Sequence, residues 1–305
     1  MVKTFIFRDL GYHGIYYMNN PNLEAVGKYF RDKNIDMEEI KWSGVHLIDY
    51  GTTGSYHIQD CTDKIDFSSF SKSGKTIVLN GSGKYHHRTF FLVKYSNHDN
   101  LSYVQLDAHT DFGPWEVGSD FVNSGGFVED IVDLDKIRKA LLLGIVPSEV
   151  VSSLGYGEGM GFHKKYIPVD NPPIFNEKTE LYLLDNLSRD GLSDIQYELL
   201  IKFSDKYKKM DSFSPSLIPT DDVYLTIDLD VVDKFITCYR GLGKMTFEGL
   251  LDIVSSIGEK RNIVAADICG LDLGYLRYEE KDDALIYLQQ IYELYVMLRG
   301  FMCNY

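Results

Sequence analysis

Cysteine is scarce in this 305-residue chain, and its placement is uninformative for pairing. Cys61, Cys238, Cys269 and Cys303 are scattered with no paired spacing, which argues against a disulfide framework and predicts reduced thiols in a cytoplasmic protein. Long apolar runs are also missing, so no membrane span is expected, and no charged-then-apolar leader opens the chain. Basic residues are in short supply: 31 against 45 acidic ones, a net charge of −14. That balance argues against nucleic acid or an anionic membrane as partner, and is compatible with a cationic small molecule. There is no internal repeat, low-complexity tract or domain-sized linker, so residues 1–305 are expected to form a single domain. The glycine-dense stretch Gly155 to Gly161 lacks the Lys-Ser/Thr of a phosphate loop and reads as a flexible connection.

What is present is a soluble composition, 44% hydrophobic and 25% charged, and an alternation of strands and helices. Strands are expected at Thr4–Phe7, Val45–Asp49, Thr76–Asn80, Leu101–Gln105, Ala140–Ile145, Glu180–Leu184, Val223–Ile227 and Asn262–Ile268. Helices are expected from Asn22 to Asp32, within the stretch that opens at Val128, from Pro147, from Ser193 to Lys209, after a Thr246 cap, and from Ala284 to Met302. Ser55 to Lys75 is polar and reads as loop, with His57 on the surface. This order predicts a three-layer αβα sandwich around a mainly parallel sheet, in which ligands gather at the carboxyl ends of the strands.

Three strand ends carry metal-type side chains. The stretch Leu106-Asp107-Ala108-His109-Thr110-Asp111 closes the apolar run from Leu101. Its three ligand-type residues alternate, and on an extended backbone they would share a face. Asp228 and Asp230 repeat that pattern after Val223–Ile227. Thr76–Asn80 breaks into Gly81-Ser82-Gly83-Lys84-Tyr85-His86-His87. Carboxylates mixed with imidazole suit a borderline divalent ion such as manganese.

Together these residues resemble the arginase, agmatinase and formiminoglutamase (ureohydrolase) family, whose fold is shared with deacetylases. Asp107-Ala108-His109-Thr110-Asp111 matches that family's Asp-Ala-His-x-Asp loop in full. Asp228 to Asp233 matches its Asp-x-Asp-x-x-Asp loop, although Lys234 stands where proline is usual. Gly83 and His86 match its Gly-Gly-Asp-His loop only at the first and last positions. The resemblance implies two Mn2+ ions, or another divalent metal. One would be held by His86, Asp107, Asp111 and Asp228; the other by Asp107, His109, Asp228 and Asp230. It further implies hydrolysis of a non-peptide carbon–nitrogen bond in a guanidino, amidino or formimino compound, through hydroxide shared by the ions and oriented by Asp111. A small-molecule substrate, no nucleic-acid or membrane partner, and a homo-oligomer belong to the same expectation.

Two family features are absent. No histidine stands in Phe121 to Gly126, where a proton shuttle is usual. Gly270 takes the place of the guanidinium-binding glutamate, which leaves Asp272, or Glu116, as the substitute carboxylate. His87 beside His86 is similar to the paired acid–base histidines of the deacetylases, unless it packs locally, and His163 and His13 are further proton-donor candidates. A deacetylase-like amide hydrolase and a catalytically inactive metal-binding relative therefore stand as alternatives.

Overall fold

The computed structural model describes residues 2–10, 21–43, 47–49, 54–57, 65–112, 121–123, 125–154, 172–184, 192–237, 242–273 and 283–304. His13, Cys61, Glu116, the Gly155–Gly161 stretch, His163 and Cys238 lie outside these residues, and His57 is described in backbone only.

Buried strands with apolar side chains on both faces dominate the centre, the pattern that a parallel sheet covered on two sides demands. In chain order the strands are β1 (Lys3–Leu10), β2 (Glu38–Ser43), β3 (Leu47–Asp49), β4 (Gly54–His57), β5 (Thr76–Gly81), β6 (Leu101–Leu106), β7 (Phe121–Asn123), β8 (Ile137–Ile145), β9 (Thr179–Leu183), β10 (Tyr207–Lys209), β11 (Asp222–Asp228) and β12 (Asn262–Cys269). Nine of them form one sheet in the order β10-β9-β8-β6-β11-β12-β5-β1-β2, and every pairing in it is parallel. Helix Ala284–Asn304 packs with both Pro21–Asp32 and Phe247–Lys260, and Arg88–Tyr95 packs with Phe127–Val132. The expected αβα architecture is observed. No helix among the described residues is long and apolar enough to cross a membrane.

Local chemistry explains the helix starts. Thr246 Oγ1 accepts from the Gly249 N–H at 3.0 Å, and Ser193 with Gln196 closes a reciprocal capping box. Pro147 opens its helix at a position where a missing N–H costs nothing.

One strand escapes the sequence reading, and three expectations need correction. Glu38–Ser43 is a sheet strand that its polar composition concealed, since an edge strand has one open side. The strand expected over Val45–Asp49 contributes Leu47–Asp49 to a separate antiparallel sheet, β3-β4-β7. The supposed loop from Ser55 includes β4 and the helical turn Ser68–Ser71, pinned by buried Ile65, Phe67 and Phe70. Finally, the helix from Ser193 stops at Lys202, and Tyr207–Lys209 becomes a lysine-bearing edge strand.

Candidate metal centre

The adjacent strands β6, β11 and β12 carry polar side chains in rungs on one face. Thr226 pairs in register with Gln105 on one side and Asp267 on the other. One step toward the carboxyl ends, Asp228 pairs with Cys269, and Asp107 follows the last residue of β6. Side chains two apart on a strand share a face, so these two rungs stack.

Beyond the strand ends the backbone does not stay extended. Asp107 to Asp111 is a bent loop, and Asp111 sits at φ 47°, a left-handed conformation uncommon for a non-glycine residue. The Val128 N–H donates to the Asp111 carbonyl at 3.1 Å and holds that bend. Asp230 lies in the 3₁₀ turn Leu229–Val231, whose first N–H groups are capped when Asp228 Oδ1 accepts from the Asp230 N–H at 3.0 Å. Turns, not the expected strand alternation, bring these carboxylates together.

His86 arrives from the end of β5. Ser82 caps the short 3₁₀ turn Gly83–Tyr85, and His86 follows it. Gly83 is required there, because a Cβ would stand 2.7 Å from Asp228 Oδ2. The base of this loop is fixed by Arg88, which is buried, with its guanidinium carbon 4.2 Å from the Tyr85 ring and 4.7 Å from that of Phe7.

The expected ligands meet in space. His86 Nδ1 is 3.1 Å from Asp107 Oδ2, 3.0 Å from Asp111 Oδ2 and 3.6 Å from Asp228 Oδ2. His109 Nδ1 is 2.8 Å from Asp230 Oδ2 and 3.4 Å from Asp107 Oδ1. Ligand atoms of His86, Asp107 and Asp228 all lie within 4.8 Å of one another, and so do those of Asp107, His109 and Asp230. Asp107 is common to both groups.

The second row orients the first. His86 Nε2 and Thr226 Oγ1 are 2.9 Å apart, and Thr226 Oγ1 donates to Asp267 Oδ1 at 3.0 Å. With that hydroxyl proton committed to Asp267, Nε2–H must be the donor to Thr226. In the neutral ring Nδ1 then carries the lone pair, buried and facing three carboxylates without a well-formed hydrogen bond. Gln105 Nε2 donates to Asp107 Oδ2 at 2.9 Å and Asp111 Oδ2 at 3.1 Å, and Tyr103 OH donates to Gln105 Oε1 at 2.7 Å, which fixes the amide's orientation.

Electrostatics agree with that geometry. Burial, then the repulsion of neighbouring carboxylates, pushes Asp111 up to about 7, Asp230 to about 7 and Asp228 to about 8. Asp107 goes the other way: burial would raise it, but His109 and His86 beside it pull it below the usual carboxylate range. Burial opposes charging of both histidines. His86 is nevertheless raised by Cys269 and by the Asp107 and Asp111 carboxylates that face it, and His109 by Asp230 and Asp107. Such a cluster retains protons at neutral pH until cations displace them. Bonds of about 2.1 Å to one ion place neighbouring ligand atoms about 3.0–3.4 Å apart, and the separations around His86 Nδ1 fall near that range. The residues present therefore fit a divalent metal centre.

The remaining expected residues are placed less directly. His87 is fully buried, and burial, with Arg88 and His86 beside it, pushes its imidazole down to the neutral form. Asp272 accepts from Ser82 Oγ at 3.0 Å and so braces the loop that delivers His86. Gly270 has φ 101°, and a Cβ there would approach Asp228 Oδ1 to 2.4 Å and the Leu229 nitrogen to 2.6 Å. No side chain fits in the place of the missing glutamate.

Several contributors were not singled out from the sequence: Gln105, Thr226, Asp267 and Cys269. Gln105 and Thr226 each stand two residues before a motif residue on the same strand face, and that spacing was the available signal; Asp267 and Cys269 neighbour no motif residue in sequence and join the site only through the register of β12 against β11.

A parallel sheet with acidic and imidazole groups gathered at its carboxyl edge defines the arginase-like α/β fold, and this chain has it. Among solved structures it is similar to an Entamoeba histolytica arginase in complex with L-ornithine (14% identity, TM-score 0.55, 98% of each chain covered). It is similar to the proclavaminate amidino hydrolase of Streptomyces clavuligerus (16%, 0.55, 99% of this chain and 91% of that one). The formimidoylglutamase of Bacillus subtilis also matches (14%, 0.51, 95% and 85%). No family model and no curated protein sequence matches the chain.

Proposed function

We propose that this chain is a divergent member of the ureohydrolase family, a two-metal hydrolase that cleaves a non-peptide carbon–nitrogen bond of a small molecule. One observation carries the reading: the buried, unpartnered His86 Nδ1 facing Asp107, Asp111 and Asp228 at 3.0–3.6 Å. A lone pair among carboxylates is unfavourable unless a proton or a metal cation stands between them. His86, Asp107, Asp111 and Asp228 would hold one ion, and Asp107, His109, Asp228 and Asp230 the other, manganese being the metal that the resemblance implies. When bound, the pair supplies an acidified water as nucleophile. Asp111, its carboxylate steadied by Gln105, accepts a hydrogen bond from the attacking water. Thr226 and Asp267 keep His86 in the tautomer that offers Nδ1. Asp272 acts through Ser82 as a positioning residue, in place of the substrate-binding role expected of it.

The neighbours' own names point to a guanidino, amidino or formimino substrate. Gly270 favours a second reading, since it leaves the glutamate's place empty where a cationic guanidinium would want a carboxylate. An amide, with His87 as the buried acid–base partner, would need none there. The test is a panel of guanidino, amidino, formimino and acylated amines, assayed for urea, ammonia or acetate with manganese-loaded protein. Urea or ammonia release that a chelator abolishes supports the first reading. Acetate release supports the second, and silence in every arm at full metal occupancy leaves a metal-binding protein without turnover.

A further inference from the structure

Cys269 belongs to the same rung as Asp107 and Asp228, yet neither metal set described above uses it. It is in register with Asp228 across β11 and β12, is 1% exposed, and its Sγ–H donates to Asp228 Oδ2 at 3.3 Å. Ligand atoms of His86, Asp267 and Cys269 lie within 4.8 Å of one another. Asp267 is not free to join a metal there, because it already accepts from Asn80, Thr89, Thr226 and Tyr224. The atom left without a partner is again His86 Nδ1, 3.6 Å from the Asp228 oxygen that the thiol touches.

A thiol is a weak donor, and a serine in the same place would bond Asp228 better. What sulfur adds is softness. Bonds of about 2.1 Å to oxygen and about 2.3 Å to sulfur put those two atoms roughly 3.1–3.6 Å apart on one ion, which brackets the separation seen. We propose that Cys269 is a further ligand of the ion held by His86 and Asp228, and that its thiolate makes this half of the centre prefer zinc or iron(II) over manganese. The inference rests on the metal-centre reading above. On coordination the Sγ–H bond is replaced by a sulfur–metal bond, and the proton leaves to solvent.

The experiment uses the full chain, stripped with a chelator and reloaded with cobalt(II). Elemental analysis counts the ions, and near-ultraviolet absorption reads sulfur-to-cobalt charge transfer. Two ions with that band are expected in the wild type. Cys269→Ser is expected to bind two ions without it and to shift competition between zinc and manganese toward manganese. The triple variant that replaces Cys61, Cys238 and Cys303 with serine should keep the band. If Cys269→Ser does not fold, X-ray absorption of the zinc-loaded wild type decides, by the presence or absence of a sulfur at about 2.3 Å. Two ions bound with no sulfur signature overturn thiolate ligation and leave the metal centre standing. No ion bound overturns both.

Discussion

Asp267 and Asp228 lie one rung apart on neighbouring strands, both buried, both carboxylates, and their surroundings are opposite. Asp267 receives Tyr224 OH at 2.8 Å, Thr89 and Thr226 hydroxyls at 3.0 Å each and the Asn80 amide at 3.4 Å. Asp228 has its proton affinity raised by burial and then by Asp230 and Asp107, and among the described residues it receives a backbone N–H and a weak thiol, with His86 Nδ1 3.6 Å away. The first is neutralised by donors supplied by the fold and serves as a support. The second is left short of positive charge, and the shortage is the functional feature. Burial of an acid is thus a poor guide to a site; the inventory of donors around it is a better one.

The comparison can be broken most directly at Asp228. Asp228→Ala is expected to lower metal affinity by more than about 100-fold, beyond the range for residues that merely orient ligands, and to abolish turnover; metal counting after dialysis checks this. The same protein in chelator should be no less stable than the wild type, because it is spared the burial of a carboxyl group crowded by Asp230 and Asp107. Asp267→Asn should behave in reverse. It leaves buried hydroxyl donors mismatched, with an expected loss of about 1–3 kcal/mol in denaturant unfolding, metal or no metal. A metal-free variant as stable as the wild type would show that Asp267 is not the support described here.

Thr226→Val sharpens the link between the rungs. It cuts the connection from Asp267 to His86 while leaving every proposed ligand in place. Metal affinity is expected to fall about 10–100-fold, read by calorimetric titration, with a smaller change in unfolding. The least effect belongs to Asp130, a half-buried acid outside both rungs. Burial, then Glu129 and Asp133, raises it from the ordinary 3.8 to about 7. Its folded-state value exceeds its unfolded one, so its contribution is intact below about pH 4 and is lost as pH rises through 7. Asp130→Asn should raise Tm by a few degrees at pH 8 and leave it unchanged at pH 4; a uniform shift at both would contradict the assignment.

Much of this was legible in the chain. Buried parallel strands are continuous apolar runs, and Leu101–Leu106 and Asp222–Asp228 announce themselves. Edge elements do not: Glu38–Ser43 and Tyr207–Lys209 are polar because one side of each is open. The motif residues Asp107, His109, Asp111, Asp228 and Asp230 stood out by type and spacing. The reason they converge did not, since a left-handed Asp111 and a 3₁₀ turn at Leu229–Val231 replace the extended backbone.

The ligand-type side chains and the buried central strands were legible in the sequence alone, because side-chain type and hydrophobic pattern are local properties. Tertiary structure alone decided which groups are satisfied. His86 meets Thr226 across 140 residues of chain, and Asn80 meets Asp267 across 187. No window of sequence shows that Asp267 has its donors while Asp228 lacks them, nor that Cys269 stands beside it. Those facts come from the register of parallel strands, which long-range packing sets.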